Sequence, residues 1–356
     1  MSMQRRNSKK IWIGEVPIGN DAPISIQSMT NTDTRDKEAT IKQILALQES
    51  GCEIVRLAVI DEDAAVAMKY LVAHSPIPVI ADIHFDHTLA IKALEAGVHG
   101  LRINPGNIGS KEKIKKVIDG AKERLVPIRI GVNSGSVEKD LLEKHHGPSV
   151  EAMVESALRH IAILEELNYD EIKVSIKSTD VASTIAANRI LAGQMPYPIH
   201  VGVTEAGLSE RAIVKSAIGI GTLLSEGIGD TIRVSLTGSP LDEISVAKNI
   251  LAALDLRIFG PTLISCPTCG RTQMNLIETA KRVEEMLTVT NKPIKVAVMG
   301  CAVNGPGEAR EADLGIAGGK GLGLIFRKGK IIKKVKQEQL IEAFKEELDK
   351  LLKEME

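Results

Sequence analysis

Short runs of β-branched residues recur along the first 255 residues, and each is followed by a longer segment with helical periodicity. Amphipathic segments such as DKEATIKQILALQES and SVEAMVESALRHIAILEEL predict helices between the runs. The predicted strands are residues 24–30, 53–59, 78–84, 100–106, 127–133, 171–177, 198–205 and 231–237. Eight strand–helix units in about 250 residues predict an α/β fold of the TIM (β/α)8 barrel type, with an open doubly wound sheet as the alternative.

Polar and glycine residues mark the ends of these predicted elements. The predicted helix N-caps are Asp36, Ser149 and Ser209, and the predicted C-terminal stops are Gly51, Gly97 and Gly227. The N-terminal segment KKIWIGEVPIG predicts a small hairpin that covers the bottom of the barrel. GIAGGKGLG (315–323) lacks the Ser or Thr that follows Lys in a Walker loop, so it predicts a bend between two short strands.

Many of the predicted strands carry charged side chains on one face. Side chains alternate in direction along a strand, and TIM-barrel enzymes use the C-terminal ends of their strands. The polar inward-facing set is Arg56, Asp82, His84, Arg102, Asn104, Arg129, Asn133, Lys173, Ser175, Lys177, His200, Thr204, Arg233 and Ser235, with Glu205 on the lip after strand seven. Buried charges need a partner or a ligand, and Arg and Lys suit phosphate oxygens. We therefore predict a site for a small polyanion such as a diphosphate, with internal salt bridges as the alternative.

Three of the four cysteines cluster beyond the predicted barrel. Cys266 and Cys269 form a C-x2-C pair, and Cys301 follows after residues 270–300. Structural zinc takes four N or S ligands, and no histidine occurs after His200, so three thiolates better fit an iron–sulfur cluster. A [4Fe–4S] cluster on three cysteines leaves one iron for a weaker ligand or a substrate. Cys52 stands apart and is interpreted as a small buried apolar residue.

Glu308 lies seven residues after Cys301, in the loop NGPGE. An oxygen ligand exchanges more readily than a thiolate, so this carboxylate is a candidate ligand of the fourth iron. A solvated loop glutamate is the alternative, and the local sequence alone favours that alternative.

Composition excludes several other classes of protein. The 45 basic and 46 acidic residues give a net charge of −1, without the basic excess of a nucleic-acid-binding protein. No stretch reaches the ~18 apolar residues of a membrane helix, and no signal peptide follows MSMQRRNSKK. We therefore expect a cytoplasmic protein with neither a nucleic-acid nor a membrane partner.

Seven segments of the chain also carry a family resemblance. They are ADIHF, RINPGNIG, RIGVNSGS, VGVTEAG, GIGDTIRVSLT, CPTCGR and VAVMGCAVNGPGEAREAD. Together they resemble the 4-hydroxy-3-methylbut-2-enyl diphosphate synthase family, in its short two-domain bacterial form. The resemblance implies an oxidoreductase of the methylerythritol phosphate route to isoprenoids. Such an enzyme reductively opens and dehydroxylates 2-C-methyl-D-erythritol 2,4-cyclodiphosphate to give 4-hydroxy-3-methylbut-2-enyl diphosphate.

The resemblance further implies how the chain is organised. A substrate-binding TIM barrel (about 1–258) would precede an α+β domain (about 262–356) similar to the cluster domains of sulfite and nitrite reductases. The implied residue roles are a [4Fe–4S] cluster on Cys266, Cys269, Cys301 and Glu308, diphosphate binding by Arg56, Arg102, Arg129, Lys177 and Arg233, and catalysis by Glu205 with Glu308. A homodimer with the active site shared between subunits and a flavodoxin or ferredoxin electron donor are also implied.

Two other functions are compatible with the residues themselves. One is a non-redox TIM-barrel phosphate-ester enzyme with structural zinc, similar to pterin synthases. The other is an iron–sulfur sensor or electron-transfer protein without catalysis of its own. Iron and sulfide content tests the first, and turnover of the cyclodiphosphate tests the second.

Overall fold

Eight parallel strands form a barrel in the first of two units, Met1–Arg257 and Ile258–Glu356. The computed structural model describes residues 4–302, 307 and 309–355. The barrel strands are β3 (Ser25–Met29), β4 (Ile54–Ala58), β5 (Val79–Asp82), β6 (Gly100–Ile103), β7 (Ile128–Asn133), β8 (Ile172–Lys177), β9 (His200–Val201) and β10 (Thr231–Ile232). They pair in chain order, β10 returns to β3, and a parallel bridge between Val174 and Ile199 links β8 to the start of β9. The predicted TIM barrel is confirmed.

Helices follow the barrel strands and form its outer layer. They are α1 (Lys37–Glu49), α2 (Glu62–His74), α3 (His87–Glu95), α4 (Pro105–Ile108), α5 (Lys111–Arg124), α6 (Lys139–Lys144), α7 (Val150–Glu166), α8 (Val181–Ala192), α9 (Ser209–Ser225) and α10 (Pro240–Ala253). The predicted caps Asp36 and Ser149 accept from the N–H groups of Ala39 and Ala152. The predicted cap at Ser209 is wrong, because the chain is already extended at Leu208 and α9 begins at Ser209 itself.

The predicted C-terminal glycines and the predicted hairpin are confirmed. Gly51, Gly97 and Gly227 have φ values of 98°, 86° and 76°, a left-handed backbone that favours glycine. The hairpin consists of β1 (Ile11–Ile13) and β2 (Val16–Ile18), which pair antiparallel. Its isoleucines pack against Ile54 and Ile80, near the N-terminal ends of β4 and β5. The hairpin therefore covers the bottom of the barrel, opposite the end at which TIM-barrel enzymes work.

In its described residues, the second unit is a five-stranded mixed sheet with two α-helices of twelve and fifteen residues. Its elements are β11 (Thr262–Ser265), α11 (Leu276–Leu287), β12 (Lys295–Met299), β13 (Leu314–Gly318), β14 (Leu322–Arg327), β15 (Lys330–Lys336) and α12 (Leu340–Glu354). The β11–β12 and β12–β13 pairs are parallel, and the remaining pairs are antiparallel. The glycine-rich segment 315–323 is thus the predicted bend between two strands. The roles predicted for residues 1–258 and 262–356 stay predictions.

Candidate active site

A cavity at the C-terminal ends of the barrel strands gathers most of the predicted charged residues. Its lining is Arg56, Asp82, His84, Arg102, Arg129, Asn133, Ser175, Lys177, Thr204, Arg233 and Ser235. Each of these residues belongs to the inward-facing set that strand parity predicts. Asp82, Arg102, Arg129 and Lys173 are direct neighbours across β5, β6, β7 and β8, so they form one row around the barrel wall.

Asp82 holds two of the guanidinium groups. Its Oδ1 accepts from Arg102 Nη1 at 3.0 Å, and its Oδ2 lies 3.3 Å from Arg56 Nε. Burial alone acts to raise the pKa of the Asp82 carboxyl, but Arg56 and the other cations around it lower that pKa below its ordinary value. His84 adds to this group, since its Nε2 lies 2.7 Å from Arg102 Nη1. Asp82 is therefore an ionised anchor for the cations beside it.

Arg233 is held by a residue that sequence reasoning missed. Glu243, on α10, is 3% exposed and accepts from Arg233 Nε and Nη2, both at 3.2 Å. Acidic residues are common in the first turn of helices, because they interact favourably with the helix dipole. The position of Glu243 in the sequence therefore did not indicate that it binds an arginine. The sulfur of Met29 also contacts both Arg56 and Arg233.

Basic side chains outnumber the carboxylates around the cavity. Five basic side chains line it with one carboxylate, Asp82, among the described residues, and Glu243 lies behind Arg233; the basic residues are Arg56, Arg102, Arg129, Lys177 and Arg233. Within the described part of the chain, Arg129 Nε and Nη1 and Lys173 Nζ have no hydrogen-bond partner. Burial, and then the neighbouring arginines, lowers the pKa of Arg129 and of Lys173 well below the ordinary values. An anionic ligand would supply the missing partners, which favours the predicted polyanion site over internal salt bridges.

Lys177 lies beside a buried histidine and above an inward-facing glycine. His200 is fully buried, and its Nε2 lies 3.3 Å from Lys177 Nζ. Burial, and then Lys177, lowers the pKa of His200 well below its ordinary value, so the imidazole is neutral. A Cβ on Gly202 would lie 2.7 Å from Lys177 Nζ, and one on Gly131 would lie 2.7 Å from Arg102 Nε. These two glycines leave the space that the cations occupy.

Three residues predicted to bind substrate lie outside the cavity lining. They are Asn104, Lys173 and His200. The Asn104 side chain accepts from the Gly106 N–H at 3.0 Å and so caps α4. Lys173 lies deeper in the barrel, with 1% of its surface exposed, and His200 contacts Lys177. The structure thus brings Lys177, rather than Lys173, to the cavity.

Glu205 lies on an exposed loop after β9 and is not among the cavity-lining residues. Its φ of 51° is a left-handed conformation that is uncommon for residues other than glycine. Its carboxylate makes no hydrogen bond or ion pair with residues that the structure describes. A strained backbone of this kind occurs often at functional sites, which keeps Glu205 a candidate.

The clustered cysteines of the second unit follow adjacent parallel strands. Cys266 comes directly after β11, and its Sγ accepts from the Gly300 N–H at 3.1 Å, one residue before Cys301. Cys269 is exposed, and a hydrogen bond from the backbone of Arg271 is the main cause that lowers the pKa of its thiol. Cys52, in the first unit, is buried, and burial raises the pKa of its thiol to about 12. It is therefore the inert apolar residue that we predicted.

The thiols of the second unit fit an iron–sulfur cluster in their chemistry. They are free, the pKa of the Cys269 thiol is lowered by a hydrogen bond from the Arg271 backbone, and the Cys266 sulfur accepts a backbone N–H, as cluster-binding sulfurs do. No group of three Cys, His, Asp or Glu side chains within the described ranges converges as a metal site. Glu308, the predicted fourth ligand, lies outside the described residues. No helix described by the structure is long and apolar enough to cross a membrane.

Known proteins match the chain over both units. Residues 8–248 match the GcpE TIM-barrel domain, and residues 262–350 match the GcpE protein C-terminal domain. The chain is 61% identical, over 340 residues, to the 4-hydroxy-3-methylbut-2-en-1-yl diphosphate synthase (flavodoxin) of Clostridium perfringens, covering 96% of this chain and 97% of that one. It is 58% identical to the protein of the same name from Geobacter sulfurreducens over 350 residues, or 98% and 99% of the two chains.

A solved structure supports the barrel fold alone. The 3-dehydroquinate dehydratase of Geobacillus kaustophilus matches 70% of this chain and 99% of its own, with a TM-score of 0.51 and 14% identity. The two family domains, in contrast, match in order and together span most of the sequence, and they confirm the resemblance described above. The chain belongs to the GcpE family.

Proposed function

We propose that the protein converts 2-C-methyl-D-erythritol 2,4-cyclodiphosphate into 4-hydroxy-3-methylbut-2-en-1-yl diphosphate by reductive ring opening and dehydroxylation. Its relatives carry the name of the synthase that forms this product, in agreement with the predicted activity. The observation that carries the proposal is the surplus of buried basic side chains at the barrel mouth. A substrate with two phosphate groups supplies the negative charge that the neighbouring carboxylates do not provide for these basic side chains.

The basic side chains would bind the diphosphate and stabilise the charge that develops when the ring opens. Arg129 has unpartnered N–H groups, and Lys177 reaches the cavity beside a neutral histidine. Asp82 fixes Arg56 and Arg102 from the barrel wall, so these guanidinium groups are oriented before the substrate arrives. Donors that are preorganised in a water-poor site stabilise a developing anion more strongly than the same donors in water.

The thiols of Cys266, Cys269 and Cys301, with the carboxylate of Glu308, would hold a [4Fe–4S] cluster. When bound, that cluster supplies electrons one at a time and a Lewis-acidic iron for the leaving oxygen. Glu205 would protonate or orient a leaving or accepting oxygen, as the resemblance implies.

The test of the proposed function is turnover. Anaerobically purified protein, given a strong reductant and the cyclodiphosphate, is expected to form the linear diphosphate. The relatives' names favour flavodoxin over ferredoxin as the physiological donor, and a comparison of the two as donors checks this. Cluster-loaded protein that leaves the cyclodiphosphate unchanged would favour a sensor or electron carrier, and stoichiometric zinc without acid-labile sulfide would favour the non-redox alternative.

The cluster ligands have a matched control in the fourth cysteine. Cys301→Ser is expected to abolish iron and acid-labile sulfide after anaerobic purification, because it removes one of three thiolates. Cys52→Ser is expected to retain both, since Cys52 lies in the barrel with a buried, protonated thiol. Equal iron content in the two variants would contradict this ligand set.

Glu308 is proposed as an exchangeable ligand of the fourth iron. Glu308→Cys is expected to retain the cluster and lose most activity, because thiolate exchanges less readily than an oxygen ligand. Glu308→Ala is expected to lose more activity than cluster. Two results together would contradict this role for Glu308. They are full activity in Glu308→Ala and an iron Mössbauer signal that does not change when substrate is added.

The predicted homodimer with a shared active site stays a prediction. The molar mass of the purified protein in solution tests the dimer. Mixing two inactive variants, Arg129→Ala and Cys301→Ser, tests the sharing, because only a site built from two subunits would regain activity in the mixed dimer.

A further inference from the structure

Glu243 accepts four hydrogen bonds from two segments of the barrel, β3 and the residues that follow β10. Its Oε2 accepts from Ser28 Oγ of β3 at 2.9 Å and from Arg233 Nε at 3.2 Å. Its Oε1 accepts from Arg233 Nη2 and from the Leu236 backbone N–H, both at 3.2 Å. The side chain starts on α10 and is 4% exposed. These hydrogen bonds therefore fix the orientation of the Glu243 carboxylate and of the Arg233 guanidinium that it binds.

A carboxylate in this place is unfavourable for anion binding if charge alone is considered. Arg233 lines the cavity, so the negative charge of Glu243 lies one side chain away from a polyanionic ligand and repels it. Removing the charge would then tighten the binding of an anion. Glu243 favours binding only through geometry, by ordering a long side chain that would otherwise lose rotamer freedom when the ligand binds.

The geometry fixes which edge of Arg233 remains for a ligand. A guanidinium has two edges that can form paired hydrogen bonds, and Glu243 occupies the Nε–Nη2 edge. Among the described residues, the contact made by Nη1 is a long one, 3.6 Å, to the sulfur of Met29. The Nη1 side of Arg233 is therefore the side that a phosphate oxygen can approach.

We propose that Glu243 is a positioning residue, which holds Arg233 by its Nε–Nη2 edge so that Nη1 donates to a phosphate oxygen of the ligand. The identity of that ligand as the cyclodiphosphate rests on the proposed function. The positioning role itself concerns any diphosphate in this cavity, so inorganic pyrophosphate serves as the probe.

The sign of one change in affinity decides between the two roles of Glu243. Isothermal titration calorimetry of the full-length protein with pyrophosphate is expected to show that Glu243→Gln weakens binding by about tenfold, the loss typical of a misplaced charged hydrogen bond. Tighter binding, or a change within twofold, would overturn the proposal, because Glu243 would then be only a counter-charge. In an Arg233→Ala background the same substitution is expected not to weaken binding any further, and to tighten it if it changes it at all, because only the repulsion between the Glu243 charge and the anion is then left to remove.

Two further variants keep the test decisive. Ser28→Ala retains the charge of Glu243 but removes one donor that orients its carboxylate. This variant is expected to weaken pyrophosphate binding, by less than Glu243→Gln does. If Glu243→Gln does not fold, unchanged binding in Ser28→Ala would contradict the proposal. Glu53→Gln is the matched control, since Glu53 also accepts from an arginine and a backbone N–H, but at the bottom of the barrel. Its pyrophosphate affinity is expected to stay within twofold.

Kinetics separate this inference from the proposed function. If the protein turns over the cyclodiphosphate, Glu243→Gln is expected to raise KM together with any fall in kcat, and Glu53→Gln is expected to change neither. If there is no turnover, the proposed function fails while the pyrophosphate measurements still judge the role of Glu243.

Discussion

Arg129 shows at the scale of one residue how binding and stability conflict in this cavity. It is 3% exposed, it lies between Arg102 and Lys173 in the row around the barrel wall, and two of its nitrogens have no partner among the described residues. A buried charge of this kind destabilises the folded protein, because water satisfies the same charge in the unfolded chain. The protein retains an unfavourable group that an anionic ligand would satisfy.

Arg129→Met is expected to change binding and stability in opposite directions. Pyrophosphate affinity should fall by roughly tenfold or more, since a charged hydrogen bond contributes about 1.5–3 kcal/mol. The melting temperature without ligand should rise, because an uncompensated buried cation is replaced by an apolar chain of similar length. Titration calorimetry and thermal unfolding measure the two effects. Arg124→Met is the control and should change neither quantity, because Arg124 is exposed and hydrogen-bonds to Glu123 and the Gly120 carbonyl. A lower melting temperature for Arg129→Met would show that Arg129 does not destabilise the ligand-free protein.

Lys173 should make stability depend on pH. Burial and Arg129 lower its pKa in the folded protein. Between that pKa and the ordinary value of ~10.4, the unfolded chain therefore binds a proton that the folded chain does not. The unfolding free energy therefore rises with pH over this range, by up to about 1.4 kcal/mol per pH unit from this residue. Lys173→Met lacks this contribution and is expected to have a larger unfolding free energy than the parent at pH 7. Urea unfolding should show that this difference shrinks from pH 7 to pH 9. Parallel pH profiles would mean that the folded amine stays protonated.

Sequence parity predicted the cavity at the residue scale but not its internal bonding. Alternation along each strand is local, so Arg56, Arg102, Arg129 and Arg233 were correctly grouped on one face. The partners of these arginines depend on contacts between distant segments, such as Glu243 with Ser28 across 215 residues. Such contacts leave no periodic signal in the sequence.

At the scale of elements, the strands and helices were predictable and their ends were less so. Strands seven and eight are predicted over residues 198–205 and 231–237, but the observed strands extend only over His200–Val201 and Thr231–Ile232, apart from the single bridge at Ile199. The predicted residues that follow these strands lie at the barrel mouth without strand pairing, and there Gly202 lies against the Arg233 backbone and Lys177. β-branched runs report burial rather than hydrogen-bond pairing, and so they overestimate such strands.

The β1–β2 hairpin should contribute to stability and not to binding. Ile11 is fully buried against the barrel bottom, whereas Trp12 in the same strand is 53% exposed. Ile11→Ala is expected to lower the unfolding free energy by roughly 2–5 kcal/mol through the cavity it leaves. Trp12→Ala, as the control, should cost much less, and both variants should bind pyrophosphate like the parent. Equal losses of stability would show that the hairpin does not seal the bottom of the barrel.

At the scale of the whole molecule, every cavity-lining residue in the part of the chain that the structure describes comes from the first unit. A chain that ends after residue 260 is therefore expected to bind pyrophosphate with an affinity within about threefold of the full protein, although it lacks all three clustered cysteines. A chain that ends after residue 254 should be less stable, because it loses the bonds from Arg257 to the Ile24 carbonyl and to Glu53. Calorimetry and thermal unfolding measure both, and loss of binding in the longer chain would assign part of the site to the second unit.

The surplus of basic side chains also sets the conditions for inhibitor chemistry. A neutral molecule in the cavity would displace water from guanidinium and ammonium groups without giving them a counter-ion, so most of its contact energy would be lost to desolvation. An effective competitor must therefore carry at least two negative charges, and such molecules cross lipid bilayers poorly. Neutral esters of such compounds would cross a bilayer, but they are expected to bind this cavity only after hydrolysis to the anions.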